Sequence, residues 1–397
     1  MLFQPIDDKT SCIGVYVDGN LIFDENKIPK DLSKTWSYTS SLKTRDIEYA
    51  WLYAGGKSMD QVCPEELREA WDKSSKKIRA YKKSFDIAKI NLREHCFFEL
   101  VPHDALEEFC DVKNRITEYV FDNYEKPENY EYLMESSKLL HKIKYQDLNL
   151  DSSDCRNLFI NSGMRAGSQK VLNGTKHVDY NLFGTVTGRL STNPKSFPML
   201  TMKKELRRLI KPHNDWLISL DYNGAEVRTL LALSEQKQPA GDIHEWNIIN
   251  VFKKAGMNRE EAKTLLFAWM YNPDSSQIET NYYDRKKVLD KYYDGDYIST
   301  IFGRHIKVSE WKAFNYLIQS TTADLVLDRA TVIDKMLEGR RSFISHIVHD
   351  EVVIDFADED RKMLQDIKQT FSENKLDSFL VNLKAGKNYY DLENLTL

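Results

Sequence analysis

The sequence predicts an α+β fold, and three observations carry that prediction. Residues 1–60 hold short strand-like runs, of which Cys12-Ile13-Gly14-Val15-Tyr16-Val17 before Asp18-Gly19-Asn20 is the clearest. From Pro64 to about Lys144 apolar side chains recur at helical spacing, as at Ala105, Leu106, Phe109, Val112, Ile116, Val120 and Phe121. From Trp216 onward strand-like and helix-like segments alternate.

Taken in order, Asp18-Gly19-Asn20 reads as a hairpin turn inside a small β-containing unit. The long helical arm that follows has few loop signals apart from Lys126-Pro127-Glu128-Asn129. Residues 150–200 are rich in Ser, Asn, Gly and Thr, so extended segments and loops are expected there rather than helices. Then come a strand Trp216-Leu217-Ile218-Ser219-Leu220, a helix from Ala225 to Leu233, and helices from about His244 to Tyr271. A helix through Trp311 to Met336 and a strand pair around His349 complete the chain.

With 397 residues, 41% apolar and 29% charged, the sequence describes a globular chain rather than a collagen, a coiled coil or a disordered polymer. No run reaches the roughly 18 apolar residues of a membrane span, and the start lacks a basic segment followed by an apolar one. A cytoplasmic location with no membrane partner is expected. Five cysteines (Cys12, Cys63, Cys96, Cys110, Cys155) without CxxC spacing suggest neither a disulfide framework nor a zinc site. The net charge of −5 argues against a polyanionic partner, but two basic runs qualify it. One is Lys73, Lys76, Lys77, Arg79, Lys82, Lys83, Lys89 and Arg93; the other is Lys203, Lys204, Arg207, Arg208 and Lys211. Each run could equally be a solvated helix face.

The apolar strand before Asp221 and the alternation before His349-Asp350-Glu351 each end in a carboxylate. Such an acid is costly to bury without a cation or donor. Two strand-end aspartates converging on one sheet could hold a pair of Mg²⁺ ions for phosphoryl transfer. Singly, each is as well explained as a strand terminator. Arg259, Lys263, Phe267 and Tyr271 recur every four residues, placing cations and then rings on one helical stripe, with Asn258 as N-cap and Asn272-Pro273 as the stop. That stripe suits a nucleoside triphosphate, with cations on phosphate and rings on base and sugar. An amphipathic helix is the plain alternative.

The order of these segments resembles the family A (polymerase I type) DNA polymerases. Thr185-Val186-Thr187-Gly188-Arg189-Leu190-Ser191 is similar to their T-x-T-G-R-L-S block, and Asp221-Tyr222-Asn223-Gly224-Ala225-Glu226-Val227-Arg228 to motif A. Asp242-Ile243-His244 resembles the D-I-H before the fingers helix, and Arg259-x3-Lys263-x3-Phe267-x3-Tyr271 resembles motif B. Phe302-Gly303-Arg304 and Asn315-x3-Gln319-Ser320-Thr321-Thr322-Ala323-Asp324 match further blocks, and His349-Asp350-Glu351 is similar to motif C. The resemblance covers about residues 175–392.

It implies a right-hand polymerase with an antiparallel-sheet palm, helical fingers and a helical thumb, plus the small N-terminal unit. The implied domains are 1–60, a reduced or replaced exonuclease region; 60–174, thumb; 175–232 and 304–397, palm; and 233–303, fingers. Asp221 and Asp350, with the Tyr222 carbonyl, would ligate two Mg²⁺ ions, Mn²⁺ being a possible substitute, and Glu351 would support them without ligating. Lys263, Arg259 and His244 would hold the dNTP triphosphate. Glu226 and the Phe267 ring would crowd the sugar 2′ carbon, selecting deoxynucleotides, and Phe267 in place of Tyr implies discrimination against dideoxynucleotides. Tyr271 would stack near the templating base. Arg189, Gln319 and His349 would contact the primer terminus, with Asn315 supporting the same surface.

The implied partners are primer-template DNA and dNTPs, with a separate exonuclease, helicase or other replication protein as further candidates, and the small size suggests a phage enzyme. Asp46-Ile47-Glu48 has the D-x-E spacing of a 3′→5′ exonuclease, but no apolar strand precedes it, so proofreading is not expected. Two rivals stand beside this reading: a single-subunit RNA polymerase, and a catalytically silent primer-template binding protein, the latter motivated by Leu266-Phe267-Ala268 and Asn272 at altered motif B positions.

Overall fold

The computed structural model describes the chain apart from residues 7–13, 93, 154, 161, 273–277, 279 and 397, so Cys12, Arg93 and Pro273 lie outside the described residues. Two compact units divide the chain, Met1–His141 and Lys142–Leu397.

In the first unit β1 (Gln4–Pro5), β2 (Val15–Val17) and β3 (Asn20–Ile22) form an antiparallel sheet in that order. Asp18 and Gly19 make the expected turn with positive φ of 48° and 78°, the pair of left-handed residues that matches strand twist in a two-residue hairpin. Helices α1 (Glu65–Ile87) and α2 (His103–Asn123) pack through Leu67, Trp71, Val112, Ile116 and Val120. Tyr16 of the sheet and Ile6, just after β1, share a core with Cys110 of α2. Three very short strands cannot bury a face alone, and α2 covers theirs. Along α1, Lys73 and Lys77 pair with Glu108 at 3.1 and 3.4 Å, while Lys76, Arg79, Lys82 and Lys83, and Lys89 just past its end, are exposed. Glu48 of the D-x-E triplet accepts hydrogen bonds from Tyr53 and Lys126, both 3.0 Å.

The division between units falls within α3 (Tyr130–Tyr145). In the second unit, α4 (Ser162–Leu172) corrects the expectation of loops across 150–200. Its Ser and Gly content is unfavourable locally, but Ser168 and Val171 are buried and Gly167 faces the Leu206 side chain, so packing decides the conformation.

The second unit is built on a five-stranded antiparallel sheet of β4 (Trp216–Tyr222), β5 (Phe343–Val348), β6 (Glu351–Phe356), β7 (Val381–Gly386) and β8 (Glu393–Asn394), ordered β5-β6-β4-β7-β8. Helices α5 (Ala225–Leu233), α6 (Ile243–Asn247), α7 (Arg259–Tyr271), α8 (Arg285–Tyr292), α9 (Glu310–Met336) and α10 (Leu364–Ser372) accompany it. Alternation along β4 separates two faces. Tyr222 stacks on Phe371 of α10 at 4.3 Å and 13°, an aromatic contact worth ~1 kcal/mol beyond its buried area. Asp221 and Ser219 take the other face. Leu230 and Leu231 of α5, Leu266, Trp269 and Met270 of α7, and Phe314, Leu317 and Ile318 of α9 form one core. Cys63, Cys96, Cys110 and Cys155 are buried. Among the described residues no helix is long and apolar enough to cross a membrane.

Candidate active site

The face of β4 that carries Asp221 also carries its cross-strand neighbours. Asp221 lies opposite Glu351 of β6 on one side and Asn382 of β7 on the other. Side chains directly opposite in an antiparallel pair share a face. Asp350 occupies the two-residue turn between β5 and β6, where Val348 pairs with Glu351. His349, the other turn residue, has φ of 57°, a conformation costing a non-glycine residue of order 1 kcal/mol and concentrated at functional sites.

Asp221 and Asp350 line one cavity of about 370 Å³. Its wall also contains Tyr222, Glu226, His244, Arg259, Lys263, Phe267, Arg189, Gln319 and His349. Twelve of the fourteen site residues marked in the sequence thus lie on or against this cavity, the twelfth being Tyr271, which stacks on Phe267 at 5.8 Å and donates to the Glu226 carboxylate. Two do not line it. Asn315 belongs to a neighbouring hollow with Tyr271, Arg285, Trp311 and Phe314, because one turn of α9 separates it from Gln319. Glu351 instead accepts hydrogen bonds from Ser219 Oγ at 2.5 Å and Tyr389 OH at 2.6 Å.

The stripe on α7 is set by its buried side. Ala262, Leu266, Trp269 and Met270 are buried, so the residues one position on, Lys263 and Phe267, turn toward the cavity. Asn258 caps the helix through a reciprocal box with Glu261, at 2.9 and 3.1 Å.

Three polar clusters hold the wall in place, and sequence reasoning assigned none of them a role. Asp242 caps α6 by accepting from the His244 and Glu245 amides, and its other oxygen takes Asn223 Nδ2 at 2.7 Å and both Nε and Nη2 of Arg259 at 3.0 and 2.9 Å. Burial opposes the ionised form, yet these donors hold Asp242 far below the usual carboxylate range. Arg228, wholly buried, donates to the Asn223, Pro239 and Gly241 carbonyls and fixes the loop before α6. Arg304 pairs bidentately with the buried Asp324 at 2.9 and 2.7 Å. Gly188, at φ 75°, lies so close that a Cβ there would come within 2.5 Å of the Arg304 guanidinium. The loop presenting Arg189 therefore rests on that ion pair, and Arg189 itself pairs with Glu226. The signals available were Asn223-x4-Arg228 inside motif A and an Asp at the start of D-I-H.

Electrostatically the cavity is bipolar. Burial, then the Asp350 charge, pushes Asp221 up to about 7, with the Asn382 hydrogen bond at 3.2 Å opposing. Burial and the nearby Arg259 push His244 down to about 4, so it is neutral at pH 7. Among the described residues no group of three or more His, Cys, Asp or Glu side chains is gathered for a metal ion. Two neighbouring hard carboxylates, one of them pushed up by burial and by the other's charge, nonetheless fit Mg²⁺, which takes one or two carboxylates and completes its shell with water and phosphate oxygens.

The second basic run lies against the C-terminal tyrosines: Arg207 sits 4.7 Å above the Tyr389 ring and Arg208 4.4 Å above Tyr390.

No protein-family model matches the chain. It is 24% identical over 280 residues to DNA polymerase I of Chloroflexus aurantiacus, covering 56% of this chain and 30% of that protein. It is 26% identical over 234 residues to the thermostable DNA polymerase I of Thermus aquaticus, covering 46% of this chain and 28% of that protein. The matched stretch is thus less than a third of either relative. In three dimensions 98% of the chain superposes on 95% of the POL domain of Pol1 from M. smegmatis, solved in complex with DNA primer-template and dNTP, with a TM-score of 0.64 at 13% identity. The fold is the one that domain has.

Proposed function

We propose that the chain is a template-directed DNA polymerase of family A, adding dNTPs to a primer 3′-OH. The observation that carries this reading is a single cavity walled by two strand-end carboxylates, a cation–aromatic helix stripe and the Arg189, Gln319 and His349 side chains. The sheet and α9 serve as palm, the α6–α8 region as fingers, and the α1–α2 arm, with its exposed lysines, as the thumb that tracks duplex phosphates.

Asp221, Asp350 and the Tyr222 carbonyl would hold two Mg²⁺ ions, which when bound acidify the primer hydroxyl and stabilise the leaving oxygen. Arg259 and Lys263 bind and orient the triphosphate, and their charge offsets the negative charge that builds on the departing pyrophosphate. His244, neutral at pH 7, can hydrogen-bond phosphate oxygen without adding charge. Glu226 and the Phe267 ring stand on the sugar side and leave a ribose 2′-hydroxyl crowded and poorly solvated. Arg189, Gln319 and His349 read the primer terminus through minor-groove acceptors, which are nearly sequence-independent. Asp46-Ile47-Glu48 reads as structural, because Glu48 is engaged by Tyr53 and Lys126.

Extension of a labelled primer-template with dNTPs or rNTPs, by wild type and Asp350→Ala, tests this. The proposal expects dNTP extension by wild type, loss of about a thousandfold or more in the variant, and unchanged duplex binding. Preferential rNTP use would favour an RNA polymerase. Equal duplex binding with no extension by either protein would leave a silent binding protein.

A further inference from the structure

We propose that Ser219 and Tyr389 hold the Glu351 carboxylate away from the Asp221 and Asp350 pair, and that this restraint sets how tightly the pair takes a divalent cation. The inference rests on the reading of that pair as ion ligands.

Glu351 follows Asp350 in the chain and lies opposite Asp221 across the sheet, so by position it is a third acid of the site. By orientation it is not, since the two aspartates line the cavity and Glu351 does not. Each of its oxygens takes one hydroxyl donor, Ser219 at 2.5 Å and Tyr389 at 2.6 Å. A carboxylate tethered at both oxygens cannot turn toward a neighbouring ion without breaking a charge-assisted hydrogen bond.

Tyr389 is itself immobilised. Its ring is 2% exposed, its backbone N–H donates to the Ile210 carbonyl at 3.1 Å, and the His346 ring meets it edge-on at 4.6 Å and 79°. The Arg207 guanidinium covers its face, a cation–π contact. Part of the second basic run thereby acquires an intramolecular purpose: Arg207 holds the tyrosine that holds the glutamate. Ser219 is equally constrained, being 1% exposed in the central strand and two residues from Asp221.

Tyr389 and Ser219 are therefore positioning residues. Removing either hydroxyl frees one Glu351 oxygen beside the aspartates, and a third carboxylate near a divalent cation raises its affinity.

The test uses Mn²⁺ as probe, titrated by electron paramagnetic resonance into wild type, Ser219→Ala, Tyr389→Phe and Asp350→Ala, beside the Mg²⁺ dependence of primer extension. Ser219→Ala and Tyr389→Phe should each bind Mn²⁺ about threefold tighter or more. Their half-maximal Mg²⁺ concentration for extension should fall in parallel, with dNTP KM at saturating Mg²⁺ unchanged. Adding Glu351→Gln to Tyr389→Phe should abolish the gain. If Asp350→Ala weakens Mn²⁺ binding while the two hydroxyl variants match wild type, the restraint is wrong and the ion-ligand reading survives. If Asp350→Ala and wild type bind Mn²⁺ alike, the ion-ligand reading fails and takes the inference with it. Should Tyr389→Phe not fold, Ser219→Ala decides the question alone.

Discussion

Asp242 Oδ2 accepts two hydrogen bonds from the Arg259 guanidinium, through Nε at 3.0 Å and Nη2 at 2.9 Å, while Asp242 Oδ1 caps the helix that carries His244. One carboxylate thus orients two groups of the cavity wall. Asp242→Ala should lower stability by about 1 kcal/mol through the lost cap. It should also raise dNTP KM by roughly three- to tenfold, since Arg259 loses its pre-organisation. Asp242→Asn keeps the cap but loses the ionised acceptor of Arg259 and Asn223, so it should show the KM effect together with a loss of stability that owes nothing to the cap. Steady-state kinetics beside urea denaturation separate the two contributions, and an unchanged KM in both variants counts against the orienting role.

Glu226 is held between Arg189 and Tyr271. Glu226→Ala opens space where a ribose 2′-hydroxyl would sit. The ratio of rNTP to dNTP incorporation should rise by about ten- to a hundredfold in single-nucleotide kinetics. An unaltered ratio would mean that the sugar is selected elsewhere.

The Arg304 and Asp324 pair supports the loop bearing Gly188 and Arg189. Asp324→Ala leaves a largely buried guanidinium uncompensated and should cost ~3–5 kcal/mol in denaturant unfolding. The double change Arg304→Met with Asp324→Leu should cost less than the single one, because no charge remains unpaired. A double variant as unstable as Asp324→Ala would show that packing under Gly188 dominates instead.

Two buried histidines predict a pH window. Burial and the Arg207 charge push His346 down to about 3, and burial with Arg259 pushes His244 down to about 4. Between these values and about 6.5 the unfolded chain binds protons at both positions that the folded chain does not. Stability therefore rises with pH across the window and is lost as pH falls through it, by up to ~1.4 kcal/mol per pH unit for each histidine. Asp221, pushed up to about 7, binds a proton in the folded chain over much of the same window and opposes one histidine's share. Urea midpoints from pH 4 to 8 should show the net rise, and His346→Leu should flatten it. An equal slope in that variant would sink the assignment.

Much of the site was legible because its residues obey short rules. The α7 stripe is a period of four, and the capping box at Asn258 and Glu261 is a local pattern. Asp221 announces itself as an acid after an apolar strand. Asn315 lies in the hollow beside the cavity, and blocks in order along α9 say nothing of which helical turn meets which hollow. The helix at Ser162–Leu172 was missed because its composition argues for loop and only its packing argues otherwise.

What the amino-acid order determined by itself is the alternation that puts an acid at the end of β4, the helical spacing that gathers cations and rings on α7, and the Asp-Gly turn of the first hairpin. These depend on neighbours within one strand or a few helical turns. Only the tertiary structure decided that Asp242 grips Arg259, that Gly188 rests on Arg304, and that Ser219 meets Glu351 across 132 residues of chain. Such pairings come from strand register and helix packing, which are settled by burying one common core, and no local period encodes them.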